Sequence, residues 1–390
     1  MPDLTNKEPS MGHSGLEVQG RAEARFDRVR ELFAHNLSSG ADLGAGFAAT
    51  IEGETVVDLW GGWADAARTR PWTRDTIVNV WSSTKTIMAL TALVLADRGE
   101  LDLGAPVARY WPEFEANGKG AITVSHFLSH SAGLSGWVEP VSRHELYDWD
   151  RMTGLLAKQE PFWEPGTACG YHSLTQGYLV GEVIRRITGK TLGAVFREEI
   201  AGPLGADFHI GLPESEDHRV AELIPPPSLD EYFDFTPTAR NAFTNPQTDV
   251  LDTLTREWRA AEIPAANGHG NARSMAEIQM LLANGGVAKG KRILSEAGCR
   301  KASELQLAGT DLVFNVPARY GRGFGVHGAM IPLPSEESIF WGGYGGSLII
   351  IDMKARATYA YAMNRMGTTT IGDERGQSMA EAMWDILAEG

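Results

Sequence analysis

Apolar positions along this chain recur in two rhythms, one helical and one strand-like. Residues 1 to about 17 are polar and glycine-containing and predict a loose arm. Phe26, Val29, Phe33 and Leu37 then recur at helical spacing up to Ser38-Ser39-Gly40. Two short apolar runs, Gly46 to Ile51 and Thr55 to Trp60, flank Glu52-Gly53-Glu54, which is turn chemistry for a β-hairpin closed by Gly61-Gly62-Trp63. Ile87, Met88, Leu90, Leu93, Val94 and Leu95 mark a buried helix that stops at Asp97-Arg98-Gly99.

Gly104-Ala105-Pro106 and Trp111-Pro112 break this pattern, and from there to about residue 275 the chain reads as helices and loops with little strand. Within that region Tyr171-His172-Ser173 enters a helix carrying Tyr178, Val183, Ile184 and Ile187. Ile224-Pro225-Pro226-Pro227 and the stretch to about residue 260 read as a long surface loop, and the segment from about Leu212 to Ala261 is expected to shape a pocket. After Asn267-Gly268-His269-Gly270, the segment Ser274 to Leu282 is helical and ends at Gly285-Gly286. Extended runs follow around Phe324 to Val326, Leu348 to Ile351 and Ala357 to Met363, and a last helix carries Met379, Met383, Ile386 and Leu387. Strands at both ends with helices between predict an α/β (α+β) fold. One antiparallel sheet domain is expected from residues 1–104 and 275–390, with a mainly helical subdomain over 105–274.

Composition narrows the partners. With 390 residues, 43% hydrophobic and 22% charged, the chain can bury a substantial core. A net charge of -15 argues against nucleic acid or an anionic membrane as partner, and Arg185-Arg186 and Lys289-Gly290-Lys291-Arg292 are too short for a basic stripe. Cys169 and Cys299 fit no disulfide framework or zinc spacing and read as free thiols. The start, Met1-Pro2-Asp3-Leu4-Thr5-Asn6-Lys7, lacks the features of a signal peptide, and no run of about 18 apolar residues occurs, so a cytoplasmic location is expected.

Three stretches can carry chemistry. Trp81-Ser82-Ser83-Thr84-Lys85 opens the apolar helix, and positions three apart share a helix face, so the Lys85 amine can lie beside the Ser82 hydroxyl among unpaired backbone N–H groups. A serine hydroxyl is a poor nucleophile until a base takes its proton. Tyr171-His172-Ser173 supplies a tyrosine whose ionisation an adjacent cation would ease, lowering its pKa from near 10. Trp341-Gly342-Gly343-Tyr344-Gly345-Gly346-Ser347 precedes the run Leu348 to Ile351, and glycines at a strand edge let a substrate reach the backbone. That last stretch lacks the strand-to-helix context of a dinucleotide fingerprint, so no cofactor is expected there. Taken singly, an N-cap serine and a core tyrosine explain the first two stretches better than catalysis does, and a glycine-rich hairpin loop explains the third at least as well.

Together, in this order, they resemble the serine β-lactamase and penicillin-binding-protein superfamily, most closely the family VIII carboxylesterases. The likeness spans roughly residues 20 to 388 and includes Leu128-Ser129-His130-Ser131-Ala132-Gly133-Leu134. Ser-x-x-Lys is the signature of that superfamily. The resemblance implies that Ser82 is acylated, that Lys85 and Tyr171 form the proton-transfer pair, and that Trp341, Gly342 and Gly343 line the site. It also implies that the oxyanion sits between the backbone N–H groups of Ser82 and Tyr344. Which of Lys85 and Tyr171 is the base stays open.

Two departures from the lactamase pattern stand out. Trp341 replaces a Lys or His at the third motif, removing a cation that would hold a carboxylate and favouring an apolar acyl or alcohol group. Ser173 stands where lactamases favour Asn. The expected activity is therefore hydrolysis of small carboxylic esters, with a β-lactamase or D-amino acid peptidase, an amide hydrolase, an acyltransferase or an inactive binding relative as rivals. His126 and His130, four apart on an expected helix, have no Glu between them and do not make a His-Glu-x-x-His metal site. No Gly-x-Ser-x-Gly elbow occurs.

Overall fold

The computed structural model describes residues 17–226 and 236–389. The expected N-terminal arm lies almost wholly outside the described residues, as does the part of the proline-rich loop from 227 to 235.

The hairpin forms as its turn chemistry requires. Glu52 and Gly53 adopt φ of 49° and 89°, the left-handed pair of a tight hairpin turn, and connect the strands Gly44–Ile51 and Glu54–Gly62. Ala357–Met363 pairs with Gly44–Ile51, with Ala360 opposite Ala48, and Leu348–Asp352 pairs on its other side. Ser338–Gly342 follows, then Gly325–Val326, Pro317–Tyr320 and Leu307–Thr310. With Gln19–Ala22 at the far edge this makes a nine-stranded sheet in which every pair is antiparallel. The ends of the chain therefore meet in one sheet, as the pattern predicted.

Helices cover both faces, and alternation along one strand shows it. The Thr358 hydroxyl donates to the Ala276 carbonyl (3.1 Å) of the helix Ala272–Ala283, whereas the next residue, Tyr359, packs its ring 6.4 Å from Trp384 of the helix Glu374–Glu389. Successive strand residues point to opposite faces, so these helices sandwich the sheet. The helix Asp27–Ser39 joins the C-terminal helix on its side.

Four expectations change. The stretch to residue 260, expected as loop, carries the helices Pro237–Thr244 and Arg256–Ala260. Each is only two turns or fewer, too short for periodicity to show, and is started by a cap: Thr236 accepts from Ala239 N (3.1 Å) and Thr255 from Trp258 N (3.2 Å). The middle region also holds two short strands, Phe208–His209 and His269–Gly270, in a small sheet with Val78–Asn79. Leu307–Thr310, Pro317–Tyr320 and Ser338–Gly342 are further strands that the apolar runs did not signal. The helix Val124–Leu128 ends before His130, which takes φ of 57°, so His126 and His130 do not share a helix face.

Candidate active site

Ser82 lies in a 3-10 turn, Trp81–Ser83, that runs directly into the helix Thr84–Asp97. Trp81 has φ of 46°, an uncommon conformation for a bulky residue that persists only where surrounding bonds enforce it. Those bonds are present. The Thr84 hydroxyl donates to the Trp81 carbonyl (2.5 Å) and accepts from Gly268 N (2.9 Å), while Val80 N donates to Gly268 O (2.9 Å). The Ser83 hydroxyl meets that of Ser347 (2.9 Å), which itself donates to the Val80 carbonyl (2.8 Å). The neighbours of Ser82 thus hold the turn, and its own side chain is left for other partners.

Those partners are Lys85 and Tyr171. The Lys85 Nζ lies 3.2 Å from Ser82 Oγ, donates to the carbonyls of Ser173 (2.6 Å) and Ala265 (3.0 Å), and sits 4.7 Å from the centre of the Tyr171 ring. Lys85 is 1% exposed, and this burial pushes its amine well below the ordinary lysine value of 10.5. The Tyr171 hydroxyl is 2.5 Å from Ser82 Oγ. Burial pushes the phenol well above its usual 10, with the Ser82 hydrogen bond opposing. The expectation of a tyrosine eased toward ionisation is therefore reversed: the ring lies among apolar and aromatic groups, and its desolvation outweighs the hydrogen bonds that favour the phenolate.

Ser173 meets the Lys85 amine through its backbone carbonyl. Trp341, at the end of the strand Ser338–Gly342, is 1% exposed and lies 5.7 Å from the Tyr171 ring and 5.6 Å from His130. Gly342 and Gly343 bring that strand against the serine turn: a methyl group on Gly343 would lie 3.2 Å from Ser82 N. Tyr344 follows, its ring 5.8 Å from that of Trp81 and its phenol pushed up to about 12 by burial. No described backbone hydrogen bond uses the N–H of Ser82 or Tyr344.

Residues that the motifs did not reveal complete the surroundings. Phe314 stacks on Tyr171 at 4.5 Å, Phe243 of the helix Pro237–Thr244 lies 6.4 Å from it, and Asp311 accepts the Tyr171 backbone N–H (3.2 Å). The segment beyond Leu212 thus does reach the site. His130 packs 5.0 Å from Tyr171, and its Nδ1 accepts from His172 N (3.0 Å). Burial holds His130 well below the usual histidine range and His172 at about 4, so both rings are neutral. The early signals were the Leu128 to Leu134 stretch, which contains His130, the Tyr171 motif, which contains His172, and the segment from Leu212 to Ala261, which contains Phe243; Phe314 and Asp311 had none.

Residues 29–383 match the family model described as Beta-lactamase, and the chain belongs to that family. Esterase/beta-lactamase LipL of Mycobacterium tuberculosis (strain ATCC 25618 / H37Rv) is 35% identical over 378 residues, covering 90% of this chain and 84% of that protein. Among solved structures, a family VIII carboxylesterase is 45% identical with a TM-score of 0.91, covering 95% of this chain and 100% of that one. A penicillin-binding protein homologue from Caulobacter crescentus is 40% identical with a TM-score of 0.90 at the same coverage, 95% and 100%. The matches thus include the family VIII carboxylesterases that the three motifs resemble, and the protein is an enzyme of the esterase and β-lactamase-fold hydrolase class.

Proposed function

We propose that the protein hydrolyses small carboxylic esters through an acyl-enzyme on Ser82. The observation that carries this reading is one oxygen between two groups: Ser82 Oγ has the Lys85 amine at 3.2 Å and the Tyr171 hydroxyl at 2.5 Å. A neutral amine has two N–H groups and one lone pair. With both N–H groups donating to Ser173 O and Ala265 O, the lone pair is left for the serine proton. The depressed lysine pKa supports Lys85 as the base, and the raised phenol supports Tyr171 as a proton carrier that stays protonated at rest.

In the acylation step, Ser82 Oγ attacks the ester carbonyl as Lys85 takes its proton. The carbonyl oxygen becomes an oxyanion facing the Ser82 and Tyr344 N–H groups, and one such donor is worth about 10²–10³ in rate. Tyr171 passes a proton to the departing alkoxide and regains one from Lys85. Water, deprotonated by the same pair, then attacks the acyl-serine, and as the acid leaves the pair returns that proton to Ser82 Oγ. The buried Trp341 in place of a cation supports apolar esters over carboxylate-bearing lactams. No membrane or nucleic-acid partner enters this reading, and among the described residues no helix is long and apolar enough to cross a membrane.

The test is Ser82→Ala. Turnover of a short-chain p-nitrophenyl ester and labelling by a fluorophosphonate probe should both vanish while the circular dichroism spectrum is kept; unchanged turnover overturns the reading. The relative LipL carries both esterase and β-lactamase in its name, so nitrocefin belongs on the same plate, where slower turnover than the ester is expected.

A further inference from the structure

The carboxylate of Asp311 is fully buried, at 0% exposure, in the turn between the strands Leu307–Thr310 and Pro317–Tyr320. Its hydrogen-bond donors are all neutral. Oδ1 accepts from Tyr171 N (3.2 Å), Val313 N (2.8 Å) and Phe314 N (2.8 Å), and Oδ2 accepts from the Tyr320 hydroxyl (2.8 Å). Burying a carboxylate is costly unless donors replace its water. Four donors converge here, and two of them belong to residues that set where the Tyr171 ring lies. One is the Tyr171 backbone itself; the other is Phe314, whose ring lies flat on Tyr171 at 4.5 Å and an interplanar angle of 21°. Lys85 lies over the same ring at 4.7 Å. Leu312 N also bonds the Cys169 carbonyl (2.9 Å), so the Asp311 turn is laced to the tyrosine segment on both sides of Gly170.

Resting on the esterase reading above, we propose that Asp311 is the positioning residue for Tyr171, holding its hydroxyl over Ser82 by tying the tyrosine backbone and the stacked Phe314 to one buried carboxylate. Its bonds to the N–H groups two and three residues on make an Asx turn, but that turn does not account for the bonds from Tyr171 N and the Tyr320 hydroxyl. The negative charge acts in the same sense as the geometry. It disfavours a tyrosinate, so Tyr171 keeps the proton it must deliver and Lys85 remains the base. The other titratable groups against Tyr171 are Lys85 from the serine helix, His130 beyond the helix Val124–Leu128, and Tyr320 from the strand Pro317–Tyr320, with His172 and Cys169 flanking it in sequence.

Asp311→Asn removes the charge and loosens the tie, because a neutral amide oxygen accepts more weakly than a carboxylate from the three N–H groups and its NH2, itself a donor, turns toward the donating Tyr320 hydroxyl. A displacement of about 1 Å at a reacting group costs about 10²-fold, so kcat should fall about 10- to 100-fold with KM within about 3-fold, and the alkaline limb of the pH profile should move to lower pH. A folded Asp311→Asn enzyme with kcat within about 3-fold of wild type and an unmoved alkaline limb overturns the proposal. If Asp311→Asn does not fold, Tyr320→Phe removes one donor and should lower kcat about 3- to 10-fold; an unchanged kcat then overturns it. If the wild type turns over no ester, the functional reading fails separately. The clamp is then judged by the crystal structure of Asp311→Asn, or of Tyr320→Phe where that is the folded variant: a Tyr171 hydroxyl moved off Ser82 supports it, and an unmoved one overturns it.

Discussion

Gly343 and Val80 touch across the seam between the third motif and the serine turn: a methyl group on Gly343 would lie 2.2 Å from the Val80 carbonyl oxygen and 2.4 Å from the Ser347 hydroxyl. The same carbonyl accepts from Ser83 N (3.2 Å) and from Ser347 Oγ (2.8 Å). Backbone cannot swing aside as a flexible side chain can, so the strand end itself must move. Gly343→Ala is therefore expected to destabilise the fold by about 1–3 kcal/mol, and to lower kcat for an ester by at least about 10-fold, because Gly343 and Val80 adjoin Tyr344 and the serine turn, whose N–H groups are the oxyanion donors proposed above. Chemical denaturation and steady-state kinetics on one preparation check both; wild-type kcat would contradict the packing argument.

The pH behaviour of Lys85 follows from its burial. In the unfolded chain the amine holds its proton up to 10.5, whereas the folded enzyme releases it well below that value. Between the two values the unfolded state binds more protons, so this group makes stability rise with pH across that window. Activity should rise through the folded value, because only the neutral amine can take the serine proton. The acid limb of kcat/KM is expected well below 10.5. Lys85→Met should abolish turnover and flatten the rise of Tm with pH relative to wild type. An acid limb at the ordinary lysine value would remove Lys85 as the neutral base.

Asp42 behaves in the opposite sense. Its carboxyl, 3% exposed as a residue, is raised from 3.8 to about 6 by burial, with Arg375 and the Tyr361 hydroxyl opposing. Arg375 Nη1 donates to Asp42 Oδ1 (2.8 Å) and Nη2 to the Gly345 carbonyl (2.8 Å), so this cluster backs the turn that follows Tyr344. Because the folded value lies above the unfolded one, the native state binds more protons between them, and ionising Asp42 costs on the order of 3 kcal/mol as pH rises through that interval. Asp42→Asn removes the titration while keeping the oxygen that Tyr361 and Arg375 use. Its stability relative to wild type should improve as pH rises from about 4 to about 7. Thermal melts across that range test it, and a difference that does not change with pH would contradict it.

Much of this protein is written in local patterns. The helix beginning at Thr84, the hairpin around Gly53, and the strands at Leu348 and Ala357 were legible because each is long or apolar enough to impose its own period, or has a turn whose φ values only certain residues tolerate. The pairing of both chain ends in one sheet followed from their order. Ser82, Lys85, Tyr171 and the Trp341 to Tyr344 stretch could be singled out as candidates, the first two by spacing on one helix turn, the last by its run of glycines, and all together by their resemblance to a known family. What the tertiary structure decided is whatever depends on groups distant in sequence. The carbonyl of Ala265 meets the Lys85 amine across 180 positions, and Asp311 meets Tyr171 across 140; no local period signals either contact. The sense of the tyrosine pKa shift also belongs there. Sequence placed a lysine near Tyr171, but desolvation is set by everything that surrounds the ring, and the folded packing of Phe314, Trp341 and His130 makes burial the largest cause of the shift.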